Sequence, residues 1–260
     1  MNARKPFLTA EWRNLVMLNY AVDPALLEPW VPAGTVLDTF QGKHYVSLVA
    51  FQFLRTRLLG VAVPFHQDFE EANLRFYVRR FAGEDWRRGV VFIKELVPKP
   101  AVALVARWVY QENYASRPMR HEVQARPDGT PAAVRYEWEE AGRWQGVRAT
   151  AAGPAREPVR GSLEEFITEH YWGYARQKDG TCLEYEVEHP RWRVWTATGA
   201  FDGHATSLYG ESFARIVNSQ PASAFIAGGS AVTVFQGQLL AAHTAKPTPP
   251  YQAGSPCGEH

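Results

Sequence analysis

Ionisable side chains stand among large aromatic rings in the segment Glu169-His170-Tyr171-Trp172. A helix that only faces solvent does not need this mixture, whereas small-molecule pockets combine mostly apolar walls with a few polar groups. The segment therefore predicts a pocket, with His170 as a catalytic group and Tyr171 and Trp172 as substrate contacts. A hydrogen-bonded core role for His170 is the alternative, because it lies on an apolar face of the predicted helix.

Lys94 interrupts an apolar strand that is predicted for residues 89–97. A lysine buried in a cavity has a lowered pKa and can act as a base or a nucleophile. Because side chains alternate along a strand, Lys94 is expected to share a face with Phe92 and Leu96, and only one of Lys94 and Glu95 should face the cavity. Pairing with Glu71, Glu95 or Glu112, or extension to the surface, is the alternative for Lys94.

Three glutamates, Glu184, Glu186 and Glu188, alternate along a later strand, and Arg191 and Arg193 follow in the next one. This spacing puts the carboxylates on one strand face. We predict a solvated ladder of ion pairs between the strands, each worth a few tenths of a kcal/mol.

The sequence contains no GxGxxG, P-loop, GxSxG or HExxH pattern, so nucleotide cofactors and serine hydrolysis have no support. His170, His189 and Glu169 lack the HxxxH or HxH spacing of metal ligands. We therefore expect neither a cofactor nor a metal. His66 lies in an apolar loop and is a candidate substrate contact at a cavity mouth, with an ordinary loop role as the alternative.

The formal net charge of the 260 residues is +1, so the broad positive surface of a nucleic-acid-binding protein is absent. The two cysteines suit a reducing cytoplasm. No apolar signal sequence is evident, and no uncharged apolar run approaches the roughly 20 residues of a membrane span. We expect a cytoplasmic protein that binds a small molecule and neither nucleic acid nor a membrane. A homo-oligomer is compatible with the sequence.

Alternating apolar residues and turn signals predict an α+β chain with a mostly antiparallel sheet that closes, or nearly closes, into a β barrel with flanking helices. A single domain is expected over residues 1–240, and a disordered tail over residues 241–260, where Pro, Gly and Thr replace apolar periodicity. Strands are predicted at residues 12–22, 36–40, 45–55, 69–80, 89–97, 119–126, 134–140, 143–149, 182–188, 191–198, 224–227 and 231–240, and helices at 23–30, 100–110 (buried nearly all round), 162–174 and 208–218.

Four aromatic-rich segments, residues 7–15, 73–78, 166–174 and 186–195, resemble an uncharacterised bacterial family, the YqjF-like proteins. The resemblance covers residues 7 to 240, and the family is similar to a distant branch of the acetoacetate decarboxylase-like superfamily. It implies a closed or nearly closed β barrel around a small-molecule cavity.

The resemblance also implies site residues. The decarboxylase uses a lysine that forms a Schiff base beside a second lysine, just after a buried helix. The corresponding residues 107–115 contain no lysine, so that reaction is not expected. Glu71 or Glu70 stands about where the decarboxylase has a cavity glutamate, and Arg107 resembles the arginine of its helix.

Two functions follow from these observations. The first is a cofactor-free lyase or isomerase acting on a carbonyl- or carboxylate-bearing molecule. In it Lys94, Glu71 and His170 are catalytic, Arg107 or Arg120 clamps a carboxylate, and the other expected substrate contacts are Tyr114, Tyr171, Trp172 and His66. The second is a non-catalytic binding or sensing protein with the same cavity. An ionisable group desolvated beside another one would favour the enzyme.

Overall fold

The computed structural model describes residues 5–109 and 111–240, with side chains for all of these except residues 106–109. Within this part of the chain the strands are β1 (Pro6–Val22), β2 (Val36–Leu37), β3 (His44–Leu58), β4 (Val61–Ala62), β5 (Phe69–Phe81), β6 (Trp86–Val97), β7 (Tyr114–Ser116), β8 (Met119–Ala125), β9 (Pro131–Glu140), β10 (Arg143–Ala151), β11 (Trp172–Arg176), β12 (Cys182–Glu188), β13 (Val194–Asp202), β14 (Ser223–Phe235) and β15 (Gln238–Leu240). The helices are α1 (Pro100–Val109), α2 (Leu163–Thr168) and α3 (Thr206–Val217).

Seven strands form a ring in the order β14-β1-β3-β5-β6-β11-β12. Two residue pairs between β12 and β14, Val187 with Val234 and Glu188 with Thr233, close it. All neighbours in the ring are antiparallel except β6 and β11. The predicted antiparallel barrel is therefore confirmed, and both halves of the chain contribute strands to it.

The strands of the ring are apolar on both faces because each face borders a core. The inward face of β5, with Phe69 and Tyr77, packs inside the ring. Its outward face, with Leu74 and Phe76, belongs to a second core. An antiparallel extension from β14 through β13, β10 and β9 to β8 covers that second core together with α3. Burial on both sides accounts for the long apolar runs in the sequence.

The helix predicted for residues 162–174 is shorter than expected. Ser162 caps α2 by accepting a hydrogen bond from the Glu165 backbone NH, but the helix ends at Thr168. The residues from Trp172 onward form β11 instead, because they pair with β6 and β12 within the ring. Sheet closure thus overrides the helical pattern of this segment.

The helix predicted for residues 100–110 is present as α1, but the expectation that it is buried nearly all round is wrong. Ala103 is fully buried, whereas Leu104 is 62% exposed and Val105 is 39% exposed. Helix α1 lies against β6 and β7, and one of its sides faces solvent.

The predicted tail, residues 241–260, lies outside the described residues. None of the helices in the described part of the chain combines the length and the apolar character that are needed to cross a membrane.

Candidate functional site

The interior of the ring contains a cavity of about 230 Å³. Val63 and Val105 line it and are also exposed to solvent, so its mouth lies between the segment after β3 and helix α1. Most of its wall is apolar or aromatic: Phe7, Leu8, Trp12, Leu15, Phe51, Phe53, Phe69, Phe92, Val187 and Val234.

Strand β5 supplies polar groups to this wall. Glu71, Asn73 and Arg75 line the cavity, and the residues between them, Ala72 and Leu74, are buried in the outer core. The two-residue period of a strand places the three polar side chains on the same face. Glu71 is 4% exposed and Asn73 is 2% exposed, so both are withdrawn from bulk water.

A β-bulge in β6 determines which of its charged residues faces inward. Leu74 of β5 pairs with Lys94, but the next residue, Arg75, pairs with Phe92, so Ile93 is the extra residue. Because of this insertion, Phe92 and Glu95 both line the cavity although they are three positions apart.

Lys94 consequently lies on the outer face of β6. Its Nζ donates a hydrogen bond of 2.9 Å to Asn113 Oδ1. The expectation that Lys94 shares a face with Phe92 is wrong, because it assumed a regular strand. Glu95, which is 1% exposed, is the inward residue of the pair.

The segment after α1 adds Glu112 and Tyr114 to the cavity wall. Strand β7 lies parallel to β6 and pairs Tyr114 with Glu95. From the other side, β12 contributes Tyr185, which pairs with Gly173 of β11. A Cβ atom at Gly173 would overlap the Tyr185 ring, so glycine at this position lets the phenol lie across β11.

We call Glu71, Glu95 and Glu112 the glutamate cluster. The Tyr114 hydroxyl donates a hydrogen bond of 3.3 Å to Glu71 Oε2, and Asn73 Nδ2 donates one of 3.0 Å to Glu71 Oε1. The Tyr185 hydroxyl donates a 2.6 Å hydrogen bond to Glu112. Two phenols and an amide thus fix the orientation of two of the three carboxyl groups.

Burial raises the pKa of every member of the glutamate cluster. Desolvation is the main cause for Glu71 and Glu112, and the pKa of each rises to about 7. The pKa of Glu95 rises well above its usual range, through desolvation and then through the charges of Glu112 and Glu71. Hydrogen bonds from Asn73 and Tyr114 to Glu71 act in the opposite direction.

This arrangement is suited to proton transfer. Carboxyl groups with a pKa near the working pH can both accept and donate protons, and neighbouring like charges keep some of them protonated while another is ionised. Among the described residues that line the cavity, the basic side chains are Arg75 and His66. No group of three His, Cys, Asp or Glu side chains in the described part of the chain is arranged to hold a metal ion.

Three of the predicted site residues line the cavity. Glu71 and Tyr114 lie at the glutamate cluster. His66 lies on the wall, where its Nδ1 is 2.8 Å from the Pro64 carbonyl oxygen. The side chain of Arg107 lies outside the described residues.

Two predicted aromatic contacts and the predicted arginine clamp lie elsewhere. The Tyr171 hydroxyl donates to Glu169, and the Trp172 ring lies under the guanidinium of Arg87 at 4.2 Å. Arg120 is on the peripheral strand β8, where its Nε donates to Glu137 Oε2 at 2.7 Å. None of the three lines the cavity that the structure describes.

His170 is buried in a separate polar site. Its Nε2 lies 3.2 Å from Asp38 Oδ2, which also accepts a hydrogen bond from Arg88 Nε at 2.7 Å. The ring packs on Phe166 and Tyr77, and desolvation lowers the pKa of His170 to about 4. The prediction that His170, Lys94 and Glu71 approach one cavity is therefore wrong in its geometry, because only Glu71 is there.

Sequence reasoning missed Asn73, Arg75 and Tyr185, and it treated Glu112 only as a partner for Lys94. The alternation Glu71-Ala72-Asn73-Leu74-Arg75 is a signal that indicates one polar face opposite one apolar face. Nothing comparable indicates Tyr185 or Glu112, because each reaches the cavity through contacts between distant segments.

The predicted solvated ladder along β12 is wrong for its first member. Glu184 is 3% exposed and accepts hydrogen bonds from Arg80 Nε at 2.6 Å, Arg87 Nη1 at 2.7 Å and the Tyr174 hydroxyl at 3.0 Å. It faces the arginines of β5 and β6 across β11, and not Arg191. This is a buried ion cluster outside the cavity.

Known proteins of similar fold include enzymes that act on small molecules. Acetoacetate decarboxylase from Legionella pneumophila superposes with a TM-score of 0.63 over 94% of this chain and 92% of its own, at 13% identity. An acetoacetate decarboxylase-like enzyme from Sphingomonas wittichii RW1 gives 0.63 over 92% and 94%, at 16% identity. The enduracididine biosynthesis enzyme MppR in complex with pyruvate gives 0.62 over 93% of both chains, at 16% identity. These similarities show an acetoacetate decarboxylase-like fold.

In sequence, the uncharacterized protein YqjF of Bacillus subtilis (strain 168) is 26% identical over 191 residues, which are 72% of this chain and 74% of YqjF. Residues 9–231 match the family DUF2071, described as an uncharacterized conserved protein (COG2071). The resemblance to YqjF-like proteins is thereby confirmed, and the chain belongs to the DUF2071 family.

Proposed function

We propose that this chain is a small-molecule enzyme that transfers protons next to a carbonyl group, in an isomerase or lyase reaction. The observation that carries the proposal is the glutamate cluster, three desolvated carboxyl groups in one apolar cavity. Perturbed ionisable groups gathered in a cleft are typical of catalytic sites. A cavity that only binds a ligand has no need to bury carboxyl groups beside one another.

The proposed chemistry uses two members of the glutamate cluster in different protonation states. Near neutral pH the cluster holds a carboxylate beside a carboxylic acid, because the charges of Glu112 and Glu71 oppose ionisation of Glu95. The carboxylate removes a proton from the carbon next to the carbonyl. The carboxylic acid donates a hydrogen bond to the carbonyl oxygen, where negative charge develops, and the Tyr114 hydroxyl joins it by turning from Glu71 Oε2 to that oxygen. When the bound ketone carries a carbon–carbon double bond conjugated with the enolate, return of the proton to the far carbon of that system completes an isomerisation. Departure of a β substituent with its bonding electrons completes an elimination.

The enzymes of similar fold support the small-molecule part of this proposal, since one of them is a decarboxylase and another binds pyruvate. Schiff-base chemistry needs a lysine in the cavity, and the described lining residues include none. Lys94 is turned outward and hydrogen-bonded to Asn113. The acidic wall therefore favours acid–base catalysis over an imine route.

Hydrogen–deuterium exchange tests the proposal directly. 2-Heptanone in D₂O is incubated with the protein, and the loss of its C1 and C3 proton signals is followed by NMR. We expect exchange above the buffer rate, and a decrease of at least about 100-fold in the Glu71→Gln variant. Glu70→Gln is the matched control, because Glu70 is the preceding residue on β5 and contacts His121 on the opposite face.

Two results would overturn the proposal. One is binding of 2-heptanone without any exchange, which favours the non-catalytic binding protein. The other is equal exchange by the Glu71→Gln and Glu70→Gln variants.

A further inference from the structure

A second pair of polar groups lines the cavity away from the glutamate cluster. The indole Nε1 of Trp12 and the hydroxyl of Thr56 are buried, and neither has a hydrogen-bond partner among the described residues. The Thr56 residue is 8% exposed. Burying such groups without a partner is unfavourable, so a ligand oxygen that binds them gains hydrogen bonds that the described residues do not supply.

The two groups belong to one patch of the wall. Strand β1 pairs Glu11 with Leu54 and Thr9 with Arg57, so a bulge in β3 leaves Thr56 opposite Ala10. Trp12 lies two residues after Ala10 on β1, so the side chains of Trp12 and Ala10 project from the same face of the sheet. Trp12 and Thr56 therefore belong to the same wall of the cavity.

The indole is held in a fixed orientation. Its ring makes edge contacts with Phe51, Phe53 and Trp192 at centroid distances of 5.1, 5.7 and 6.1 Å. A donor whose direction is fixed before binding loses little entropy when a ligand arrives. The patch is therefore prepared to receive an acceptor oxygen.

The separation of the two polar regions sets the length of the ligand. Glu71 is opposite Phe51 on β3, and Thr56 is five residues farther along that strand. At the rise of a β-strand this corresponds to roughly 15 Å along the wall. The aromatic rings of Phe53 and Phe69, stacked at 4.8 Å, lie between them.

We propose that Trp12 and Thr56 form a second subsite, which binds a hydroxyl or carbonyl oxygen at the far end of an elongated substrate. The substrate class is a carbonyl compound with an apolar middle and a distal oxygen, with no carboxylate at the glutamate end. Binding of the carbonyl group at the glutamate cluster rests on the proposed function. The distal subsite is inferred independently, from the buried Trp12 Nε1 and Thr56 hydroxyl groups that have no partner among the described residues.

The test compares two probes that differ only at the distal end, 2-nonanone and 9-hydroxynonan-2-one. Their Kd values are measured by calorimetry for the full chain and for Thr56→Val, which keeps the shape and removes the hydroxyl. We expect the protein to prefer the hydroxy ketone and Thr56→Val to reduce that preference about tenfold. Thr56→Ser should restore it, and Thr198→Val on β13 is the control outside the cavity.

The outcomes separate the two proposals because binding is measured without turnover. If Thr56→Val and Thr56→Ser keep the same preference as the unmodified chain, the subsite is overturned whatever the exchange assay shows. If the preference falls as expected but no exchange of ketone protons occurs, the subsite stands and the proposed function fails.

Discussion

The hydroxyl of Tyr185 donates a hydrogen bond of 2.6 Å to Glu112 Oε1, and this contact joins β12 to the segment that follows α1. The bond stabilises the ionised form of a carboxyl group whose pKa is raised by burial to about 7. In the proposed reaction, Tyr185 would therefore position Glu112 and keep the pKa of this carboxyl group from rising further.

Tyr185→Phe should raise the pKa of Glu112 further, because the ring remains and the hydrogen bond to the carboxylate is lost. The titration of the carboxyl carbons by ¹³C NMR measures this shift. Gly173→Ala should give a similar shift by displacing the phenol. An unchanged or lower pKa in Tyr185→Phe would show that the hydrogen bond does not control Glu112.

The glutamate cluster should make stability depend on pH. The pKa of Glu71 is raised from 4.5 to about 7. Its contribution to the free energy of unfolding is therefore fully present below about pH 4.5 and is lost as the pH rises through about 7. Glu71→Gln removes the titrating carboxyl group and therefore this loss of stability at higher pH. We expect the free energy of unfolding of Glu71→Gln, relative to the unmodified chain, to increase by about 2–3 kcal/mol between pH 5 and pH 8.

Urea denaturation at several pH values measures this difference, and taking the difference cancels the opposite trend expected from His170, whose pKa is lowered. Glu70→Gln serves as the control on the same strand. A difference between Glu71→Gln and the unmodified chain that stays constant with pH would contradict the raised pKa of Glu71.

The cavity should discriminate against carboxylates. Heptanoate and 2-heptanone have similar apolar chains, but heptanoate brings a negative charge towards the glutamate cluster. At pH 8 we expect heptanoate to bind at least about tenfold more weakly, an energy difference of about 1.4 kcal/mol. Calorimetric Kd values test this. Tighter binding of heptanoate would mean that a cation such as Arg75 dominates the wall.

Lys94→Met should leave the cavity unaffected. The substitution removes the bond to Asn113 on the outer face, which we expect to cost about 1 kcal/mol of unfolding free energy. Ketone exchange and ketone binding should equal those of the unmodified chain. A large loss of ketone proton exchange in a folded Lys94→Met variant would support the catalytic role that the sequence predicted for Lys94.

The ion cluster at Glu184 should matter more for stability than surface pairs do. Glu184→Gln leaves the side chains of Arg80 and Arg87 partly buried without their counter-ion, which we expect to destabilise the fold by about 3 kcal/mol. The control is Arg191→Met, which breaks an exposed pair with Glu165 and should cost less than about 1 kcal/mol. Equal effects in urea denaturation would contradict this.

The barrel was predictable because alternation and turn residues mark its strands, and the resemblance to YqjF-like proteins indicated how they close. Glu71 was predictable from the same resemblance. The sequence could not predict which of Lys94 and Glu95 faces the cavity. The extra residue of the bulge, Ile93, is an ordinary apolar residue, and nothing in the local sequence indicates a bulge there. The end of α2 at Thr168 could not be predicted either. The helix stops because Trp172 pairs with β6, and this is a contact between distant parts of the chain.

The bulge at Ile93 has an evolutionary consequence. Lys94 and Glu95 are adjacent, so a regular β6 would turn the amine inward and the acid outward. The same stretch of sequence therefore encodes two different cavity chemistries, and strand register selects between them. Within such a barrel, a one-residue insertion or deletion would exchange an inward amine for an inward carboxyl group without replacing either residue.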